Sequence, residues 1–452
     1  MDHNARRPIA SAAIFGNGAV ALCAAIAIKR AVQQCSVRVI EPVDGGTTLA
    51  DSFPVIYPPA LPMLHALGLD EVGLVRSGLA SHRIADRFAG WHGDPFMIPV
   101  EEHEPPVSGV PFGPIARLHS GEADPSVFSP ALAFAQAGRF RPEGADGVGY
   151  ALRLDPDRFA RALRTLSERA GVTFAKADGA AIDADLCIDC GPPIESADAP
   201  QFEDWGTSIP GHHLLHWQAE GVVSLVDDHA AFDWGWKAEI CGPGRRHHIA
   251  VSNDTSAIPD APSSAIKIQF TPGRLASPWA RNRIALGDAA AVPGPLGHFG
   301  FTLALLHLGL LLELMPGAEP DPLLEREYNR RAAILSDEVR DFVALLHAGA
   351  QHRGAFWQQA RALVTTPPLA SIIARFTRTG RTPVREAEIV SDAAWAHALA
   401  ALFDAAPGFD ALARSVPADQ AAAALSHRAE DVRRLVASQP RYEEWIGRIT
   451  RR

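Results

Sequence analysis

The stretch Pro8-Ile-Ala-Ser-Ala-Ala-Ile-Phe-Gly16-Asn-Gly18-Ala-Val-Ala21 reads as an apolar strand that runs into a glycine turn. An alanine-rich helix to about Gln33 follows, and Ser36–Ile40 predicts a second strand that ends at Glu41. This order is the start of a βαβ dinucleotide-binding unit, with alanine in the third glycine position. The stretch therefore predicts an α/β protein with a Rossmann-like module.

Each residue of this fingerprint has a separate physical task. Gly16 permits the tight turn, and Gly18 lets the backbone approach a pyrophosphate at the helix N-terminus, where unpaired N–H groups attract anions. Ala21 is small enough for close packing of helix on strand. Glu41 can accept a hydrogen bond from a ribose hydroxyl. These four residues are the predicted adenosine-side contacts.

A second glycine-acid segment, Gly287-Asp288, follows an apolar strand 270 residues after Gly18. It leads through Pro293-Gly-Pro-Leu-Gly-His-Phe-Gly300 into an apolar helix. Asp288 can accept from a sugar hydroxyl, and the helix N-terminus can face a flavin ring. Two such segments so far apart predict FAD rather than NAD alone. Asp288, Leu296 and Gly300 are the predicted contacts on the flavin side.

Composition narrows the class of protein. Apolar residues make up 47% of the chain, so a large core can form, and the net charge of −10 leaves no basic stripe for nucleic acid. The five cysteines are too few and scattered for a disulfide scaffold, which predicts a reducing, cytoplasmic location. No closed cysteine-histidine set is present, so no metal site is predicted.

The long apolar stretch Phe299–Met315 contains His307 and Glu313 and is short for a bilayer span. It predicts a buried helix and no membrane partner. Residues 42–150 show little helical periodicity outside Ala60–Leu67 and are expected to be mostly loops. Beyond 320 the pattern becomes helical. We therefore predict a FAD-binding module with inserted substrate-side strands and loops at 1–320, and a helical substrate-side module at 321–452.

Ten segments follow one another in an order known from one family. They are Gly16-Asn-Gly18, Leu67-Gly-Leu-Asp-Glu71, Phe88-Ala-Gly-Trp91, Ala184-Asp-Leu-Cys-Ile-Asp-Cys190, Trp234-Gly-Trp236-Lys237, Trp279-Ala-Arg-Asn282, Pro295-Leu296, Tyr328-Asn329, Asp341-Phe342 and Arg353-Gly-Ala-Phe-Trp357. With them the chain resembles the flavin-dependent tryptophan halogenases over roughly residues 8–445.

The resemblance implies a FAD-binding module of the class A flavin monooxygenase type with a mainly helical C-terminal module. It also implies that a separate flavin reductase supplies reduced FAD. Oxygen and halide then give hypohalous acid, which crosses a tunnel to a small aromatic, indole-like substrate. In the family, a lysine and a glutamate assist at the end of that tunnel.

The sequence departs from the family pattern at those two positions. Arg83 stands where the lysine is expected, and Gly297 replaces the glutamate. Arginine can donate hydrogen bonds to an oxidant but does not become a nucleophilic amine. Arg83 is therefore a candidate catalytic residue only as a donor.

Three more catalytic candidates come from the same resemblance. His298 lies in the predicted flavin-facing loop. Trp234 and Trp236 are two positions apart, and we expect both on one strand face, where they would wall the space between flavin and substrate.

Three functions stay open at this point. The first is a FAD enzyme of the halogenase family that halogenates or oxygenates an aromatic substrate. The second is a flavin-binding paralogue with little or no catalysis, and the third is an NAD(P)H-dependent aromatic hydroxylase. Only the hydroxylase would oxidise NAD(P)H unaided, and only the paralogue would turn over nothing.

Overall fold

The computed structural model describes residues 7–43, 48–121, 124–177, 182–192, 201–259, 261–382, 384–403 and 410–450. The chain divides into two compact units, each assembled from three segments. The first unit comprises 1–80, 153–206 and 270–340, and the second comprises 81–152, 207–269 and 341–452. Two internal segments, 81–152 and 207–269, belong to the second unit. The functional modules predicted at 1–320 and 321–452 stay a prediction.

The strands are short in the first third of the chain and longest between residues 213 and 252. In chain order they are β1 (Ser11–Phe15), β2 (Ser36–Glu41), β3 (Val55–Ile56), β4 (Ala80–Arg83), β5 (Ala85–Ala89), β6 (Phe96–Pro99), β7 (Glu101–Glu102), β8 (Val148–Gly149), β9 (Ala151–Leu154), β10 (Thr173–Lys176), β11 (Leu186–Asp189), β12 (Phe202–Asp204), β13 (His213–Glu220), β14 (Val226–Phe232), β15 (Gly235–Gly242), β16 (Arg245–Ser252), β17 (Ile266–Gln269), β18 (Gly273–Leu275), β19 (Trp279–Ala280), β20 (Arg283–Ala285) and β21 (Ala291–Val292).

The α-helices become longer and more frequent after residue 299. They are α1 (Ala19–Ala31), α2 (Leu49–Ser52), α3 (Pro62–Leu67), α4 (Glu71–Arg76), α5 (Phe112–His119), α6 (Pro130–Ala137), α7 (Pro156–Arg169), α8 (Phe299–Glu313), α9 (Pro322–Ala348), α10 (Ala355–Ala362), α11 (Pro367–Thr379), α12 (Asp392–Leu402), α13 (Ala411–Ser415), α14 (Ala418–Ser438) and α15 (Tyr442–Ile449).

The first unit is built on a sheet in the order β10-β2-β1-β11-β20-β19. Its strands pair in parallel except for β19 with β20. Helix α1 lies in the core against α7 and α8 and is buried along ten consecutive residues from Ala19 to Ile28. Parallel strands that are buried on both faces have continuous runs of apolar residues, so β1 could be predicted from the sequence.

The second unit contains a seven-stranded sheet in the order β17-β13-β16-β15-β14-β5-β6. Neighbouring strands pair antiparallel except β14 with β5, which run parallel and place Asp227 opposite Asp86. This parallel pair, formed by strands about 140 residues apart in sequence, brings two carboxylates side by side.

The predicted α/β class and the opening βαβ unit are confirmed, and the described elements after residue 320 are all helices. The expectation of loops over 42–150 is wrong in part, because α4, α5 and α6 also lie there. Each has only six to eight residues, or about two turns, so its helical periodicity is hard to detect in the sequence.

The apolar stretch near 299–315 forms α8, as predicted. Leu296–Glu313 is long and apolar enough to cross a membrane, but 72% of it is buried inside the protein. Its partners include α1 and β3 of the same unit. A core helix accounts for the composition.

Candidate functional site

The glycine turn between β1 and α1 has the geometry that the fingerprint requires. Gly16 adopts a φ of 143°, and a Cβ there would lie 3.1 Å from Ala21 Cβ and 3.2 Å from Cys190 Cβ. Its amide donates to the Ile40 carbonyl at 3.0 Å, which ties the turn to β2. Gly16 and Ala21 therefore have to be small because backbone and helix meet closely here.

The N-terminus of α1 is already occupied by an anion from the chain itself. Gly18 is the N-cap residue and brings no side chain, so it cannot cap the helix itself. The Asp51 carboxylate accepts from the Val20 amide at 2.9 Å and also from the Ala19 amide. A Cβ at Gly18 would overlap that carboxylate.

Thr48 holds Asp51 in this position. The Thr48 hydroxyl donates to Asp51 Oδ2 at 2.6 Å and accepts from the Asp51 amide at 3.2 Å. Burial raises the pKa of Asp51, and the hydrogen bonds from Thr48 and from the α1 amides act in the opposite direction. The carboxylate is thus a partly buried group that the helix N-terminus stabilises.

Asp288 is the predicted acceptor for a sugar hydroxyl, a role that stays a prediction, and in this structure it binds the start of α2. Its carboxylate accepts from the Leu49 amide at 2.6 Å and from the Ala50 amide at 3.1 Å. Asp288 is buried, and this burial raises its pKa to about 7. The side chain lies in a 3-10 turn directly after β20, as the sequence predicted.

Glu41, the predicted ribose acceptor, lies at the end of β2 between two cations. Lys176 Nζ is 2.9 Å from one carboxylate oxygen, and Arg164 binds the other. The hydrogen bond from Lys176, with the contribution of Arg164, lowers the pKa of Glu41. Glu41 is therefore ionised, and each oxygen keeps a further acceptor direction. Its role toward a ribose stays a prediction.

The segment before α8 is buried and lined by aromatic rings. Gly297 adopts a φ of 79°, and a Cβ there would overlap the Phe299 ring. The Tyr57 hydroxyl donates to the Gly297 carbonyl at 2.7 Å, and its ring stacks on Phe299 with centroids 4.7 Å apart. His298 is buried at the N-cap of α8, with its ring centroid 5.7 Å from that of Phe53.

Leu296 and Gly300 flank this segment. Leu296 is buried, and its contact with the cofactor stays a prediction. A Cβ at Gly300 would lie 3.4 Å from Ala50 Cα, so α2 packs directly on the first turn of α8. The first unit thus gathers Gly18, Asp288 and Gly300 around one short helix, α2.

Sequence reasoning missed Thr48, Asp51 and Tyr57. The signal for the first two was present, since Thr48-Leu-Ala-Asp51 has the Thr-x-x-acid spacing of a capping box and predicts a helix start. No sequence pattern predicts the contact between Asp51 and Val20, because the two residues lie in different elements. Tyr57 lies in no sequence motif that would have predicted its role.

In the second unit, Arg83 is fully buried in an ion-pair network. Its Nη2 lies 2.5 Å from Asp86 Oδ2, and its Nη1 lies 3.3 Å from Asp227 Oδ2. The other Asp86 oxygen is 3.1 Å from His229 Nε2. A planar guanidinium suits two carboxylates at once, which a lysine ammonium cannot match in the same way. These contacts give Arg83 a structural role, and its predicted role as a donor to an oxidant stays a prediction.

The two tryptophans do not share a strand face, so that prediction is wrong. Trp234 lies in the turn between β14 and β15, half-buried, and stacks on Phe232 with centroids 5.2 Å apart. The strand begins only at Gly235, and Trp236 is buried against Trp91 and His229. Trp236 belongs to an aromatic core, while Trp234 lies near the surface.

Fold and site together define a class. A parallel sheet, a Gly16–Ala21 turn at a helix N-terminus and a late Gly-Asp turn next to that helix characterise a Rossmann-like dinucleotide-binding protein. The late turn lies next to α1, since a Cβ at Gly287 would be 3.2 Å from Val20 Cγ1.

Comparison with known proteins identifies the family. The family model described as tryptophan halogenase matches residues 11–418, so the chain belongs to the tryptophan halogenase family. Tryptophan 7-halogenase KtzQ of Kutzneria sp. (strain 744) is 23% identical over 224 residues, which are 44% of this chain and 42% of that protein. The matched segments span less than half the length of the curated relatives.

Solved structures share the fold over the whole chain. Xcc4156, a flavin-dependent halogenase from Xanthomonas campestris, has a TM-score of 0.89 and 22% identity, with 98% of this chain and 99% of that chain covered. BrvH, a flavin-dependent halogenase from Brevundimonas sp. BAL3, has a TM-score of 0.87 and 22% identity, with 97% and 99% covered.

FAD is the cofactor that this family membership gives the chain, and the first unit fits it at the turn. Gly18 brings no side chain to the start of α1, and the α1 amides bind an anion, the Asp51 carboxylate, in this structure. A phosphate would use the same amides for the same reason. The predicted contacts that would hold FAD are Gly16, Gly18, Ala21, Glu41, Asp288, Leu296 and Gly300, and these residue assignments stay predictions.

Proposed function

We propose that this protein is a flavin-dependent halogenase that acts on a small aromatic, indole-like substrate. The observation that carries the proposal is the family match over residues 11–418, which includes both the Gly16–Ala21 turn and the Gly287–Gly300 segment. The proposed partners are a separate flavin reductase and a halide. Neither a non-catalytic paralogue nor an NAD(P)H-dependent hydroxylase is favoured by that match.

Reduced FAD would supply the oxygen chemistry that oxidises the halide. The chain's own residues bind and orient the cofactor: the α1 amides take the pyrophosphate, Glu41 accepts from the ribose, and Asp288 accepts from the ribityl chain. His298 lies at the start of α8, in the predicted flavin-facing loop. Its role near the ring is part of this proposal.

On the substrate side, the proposal keeps Arg83 as a hydrogen-bond donor to the oxidant, held in orientation by Asp86 and Asp227. Trp234 and Trp236 remain candidates for contacts along the path of the substrate. Since Gly297 offers no carboxylate and Arg83 no amine, we expect halogenation slower than in family members that have both, by about 10²- to 10⁴-fold for a lost acid or positioning group.

A cytoplasmic site of action completes the proposal. Its support is that all five cysteines are buried and free, as in a reducing compartment. Cys187 and Cys190 fit the predicted structural role, because burial raises the pKa of both thiols and makes them poor nucleophiles.

The test is a reconstituted reaction followed by mass spectrometry. The full chain is mixed with FAD, a flavin reductase, NADH, bromide and a panel of indoles, with catalase present to remove free peroxide. We expect a monobrominated product that requires the protein, the reductase and bromide. FAD binding without product across the panel would instead identify a non-catalytic paralogue, and fast flavin reduction by NADPH without the reductase would identify a hydroxylase.

A further inference from the structure

We propose that α2 (Leu49–Ser52) is a built-in competitor of the cofactor: the Asp51 carboxylate takes the pyrophosphate position at the α1 N-terminus and has to leave it when FAD binds. The proposal rests on the proposed function, in that the chain binds FAD. It adds that cofactor affinity is set in part by a residue of this chain that occupies the site itself.

The first step of the argument is that one set of donors serves both anions. In a dinucleotide fold, the pyrophosphate lies against the bare backbone of the second glycine and the first amides of the helix. Here the Asp51 carboxylate lies against Gly18 and accepts from the Ala19 and Val20 amides. The carboxylate and a pyrophosphate cannot occupy this space together.

The second step is that α2 also engages the other predicted cofactor contacts. The Leu49 and Ala50 amides satisfy Asp288, and Ala50 lies 3.4 Å from where a Cβ at Gly300 would be. One four-residue segment therefore bridges the pyrophosphate, ribityl and α8 contacts. If α2 moves away, all three become available at once, which is the behaviour of a two-state element.

The third step concerns charge. Asp51 is partly buried next to the helix amides and has the buried Asp288 as a neighbouring acid. A pyrophosphate placed beside an ionised Asp51 would add like charge in a buried site, which disfavours their coexistence. Displacement of Asp51 removes both the overlap and the repulsion.

The size of the effect follows from population arithmetic. The apparent Kd for FAD equals the intrinsic Kd divided by the fraction of protein in which the site is open. Loss of an N-cap side chain shifts such an equilibrium by about 2- to 30-fold. Removal of the Asp51 carboxylate should therefore tighten FAD binding by a factor in that range.

The experiment is a titration of the full chain with FAD, followed by quenching of flavin fluorescence, and with ADP, followed by calorimetry. ADP carries the pyrophosphate without the flavin and tests that position alone. The variants are Asp51→Ala, Asp51→Asn and, as matched control, Asp70→Ala. Asp70 caps α4 through the Gly73 amide at 2.8 Å in the same unit and is not a predicted cofactor contact.

We expect Asp51→Ala to bind both ligands about 2- to 30-fold more tightly than wild type, with Asp51→Asn changed in the same direction and Asp70→Ala unchanged. Wild-type binding with equal or weaker binding by both Asp51 variants would overturn the competitor and leave the proposed function standing. No binding of FAD or ADP by any variant would refute the FAD site itself. If Asp51→Ala does not fold, Asp51→Asn and Thr48→Val, which removes the hydroxyl donor to Asp51, decide the question.

Discussion

Asp51 Oδ1 accepts a hydrogen bond from the Val20 amide at 2.9 Å, so a side chain 31 positions away caps the helix that opens the fold. Helix N-termini usually receive this hydrogen bond from the N-cap residue itself. Gly18 cannot supply it, because the fingerprint requires that position to be bare. The fold thus has a helix N-terminus that either Asp51 or a bound anion has to satisfy.

The contact predicts an energetic coupling between Gly18 and Asp51. Gly18→Ala places a methyl group where the carboxylate lies, so it should lower the free energy of unfolding in the wild-type background. In an Asp51→Ala background the same change should cost little, since Gly18 has an extended backbone that alanine adopts without strain. A double-mutant cycle by urea denaturation should give a coupling of about 0.5–3 kcal/mol. Additive effects would contradict the contact.

Asp288 predicts a specific dependence of stability on pH. Its pKa of about 7 in the folded protein lies above the ordinary value for an unfolded aspartate, about 3.9. Between these values the folded state binds a proton that the unfolded state has lost, so this group makes the protein less stable as pH rises from about 4 to 7.

The Asp288→Asn variant does not titrate and tests this linkage. The free energy of unfolding of wild type minus that of the variant should fall as pH rises through that window and then level off. Chemical denaturation at several pH values measures it, with Asp70→Asn as the control for loss of a carboxylate elsewhere in the first unit. A flat difference would argue against a raised pKa.

These features mark where sequence reasoning reached its limit. Local sequence pattern and burial agree over many residues in three elements, so these elements could be predicted. They are the strand-turn-helix start, the Gly287-Asp288 turn and the long helix at Pro322–Ala348. The four-residue α2 carries too little periodicity to register, although Thr48 and Asp51 have capping-box spacing.

The ion-pair network of Arg83 could not be predicted from the sequence, for a different reason. Asp86 and Asp227 become neighbours only through the parallel pairing of β5 with β14, and no local pattern encodes that pairing. The family resemblance placed Arg83 at the position where a lysine is expected. Only the tertiary structure shows that its charge is matched by two carboxylates.

Gly297 is predicted to reject the glutamate that the family has at this position. A non-glycine residue in the left-handed region costs about 1–2 kcal/mol, and here a Cβ would also overlap the Phe299 ring. Gly297→Ala and Gly297→Glu should therefore both lower the free energy of unfolding.

Gly294 provides a matched control for this test. It has a similar φ of 81°, but a Cβ there would lie 3.7 Å from its nearest neighbour, Phe270. Gly294→Ala should therefore incur the backbone cost alone and be destabilised less than Gly297→Ala by thermal denaturation. Equal losses would show that Phe299 adjusts freely.

Arg83 is predicted to stabilise the second unit by matching buried charge. Replacement by Met keeps the volume of the stem but removes the guanidinium that pairs with Asp86 and with the fully buried Asp227. Breaking a buried pair in this way costs about 3–5 kcal/mol, because an uncompensated charge remains.

Arg87→Met is the matched control. Arg87 pairs with Asp228 in the neighbouring register, but these side chains are 55% and 38% exposed, so loss of this pair should cost less than about 1 kcal/mol. Urea denaturation of both variants measures the difference. The triple variant with Asp86→Asn and Asp227→Asn added to Arg83→Met should recover part of the loss, since the two carboxylates that pair with Arg83 are then neutral. If Arg83→Met is as stable as Arg87→Met, the guanidinium does not compensate these carboxylates, and its charge is available for the oxidant.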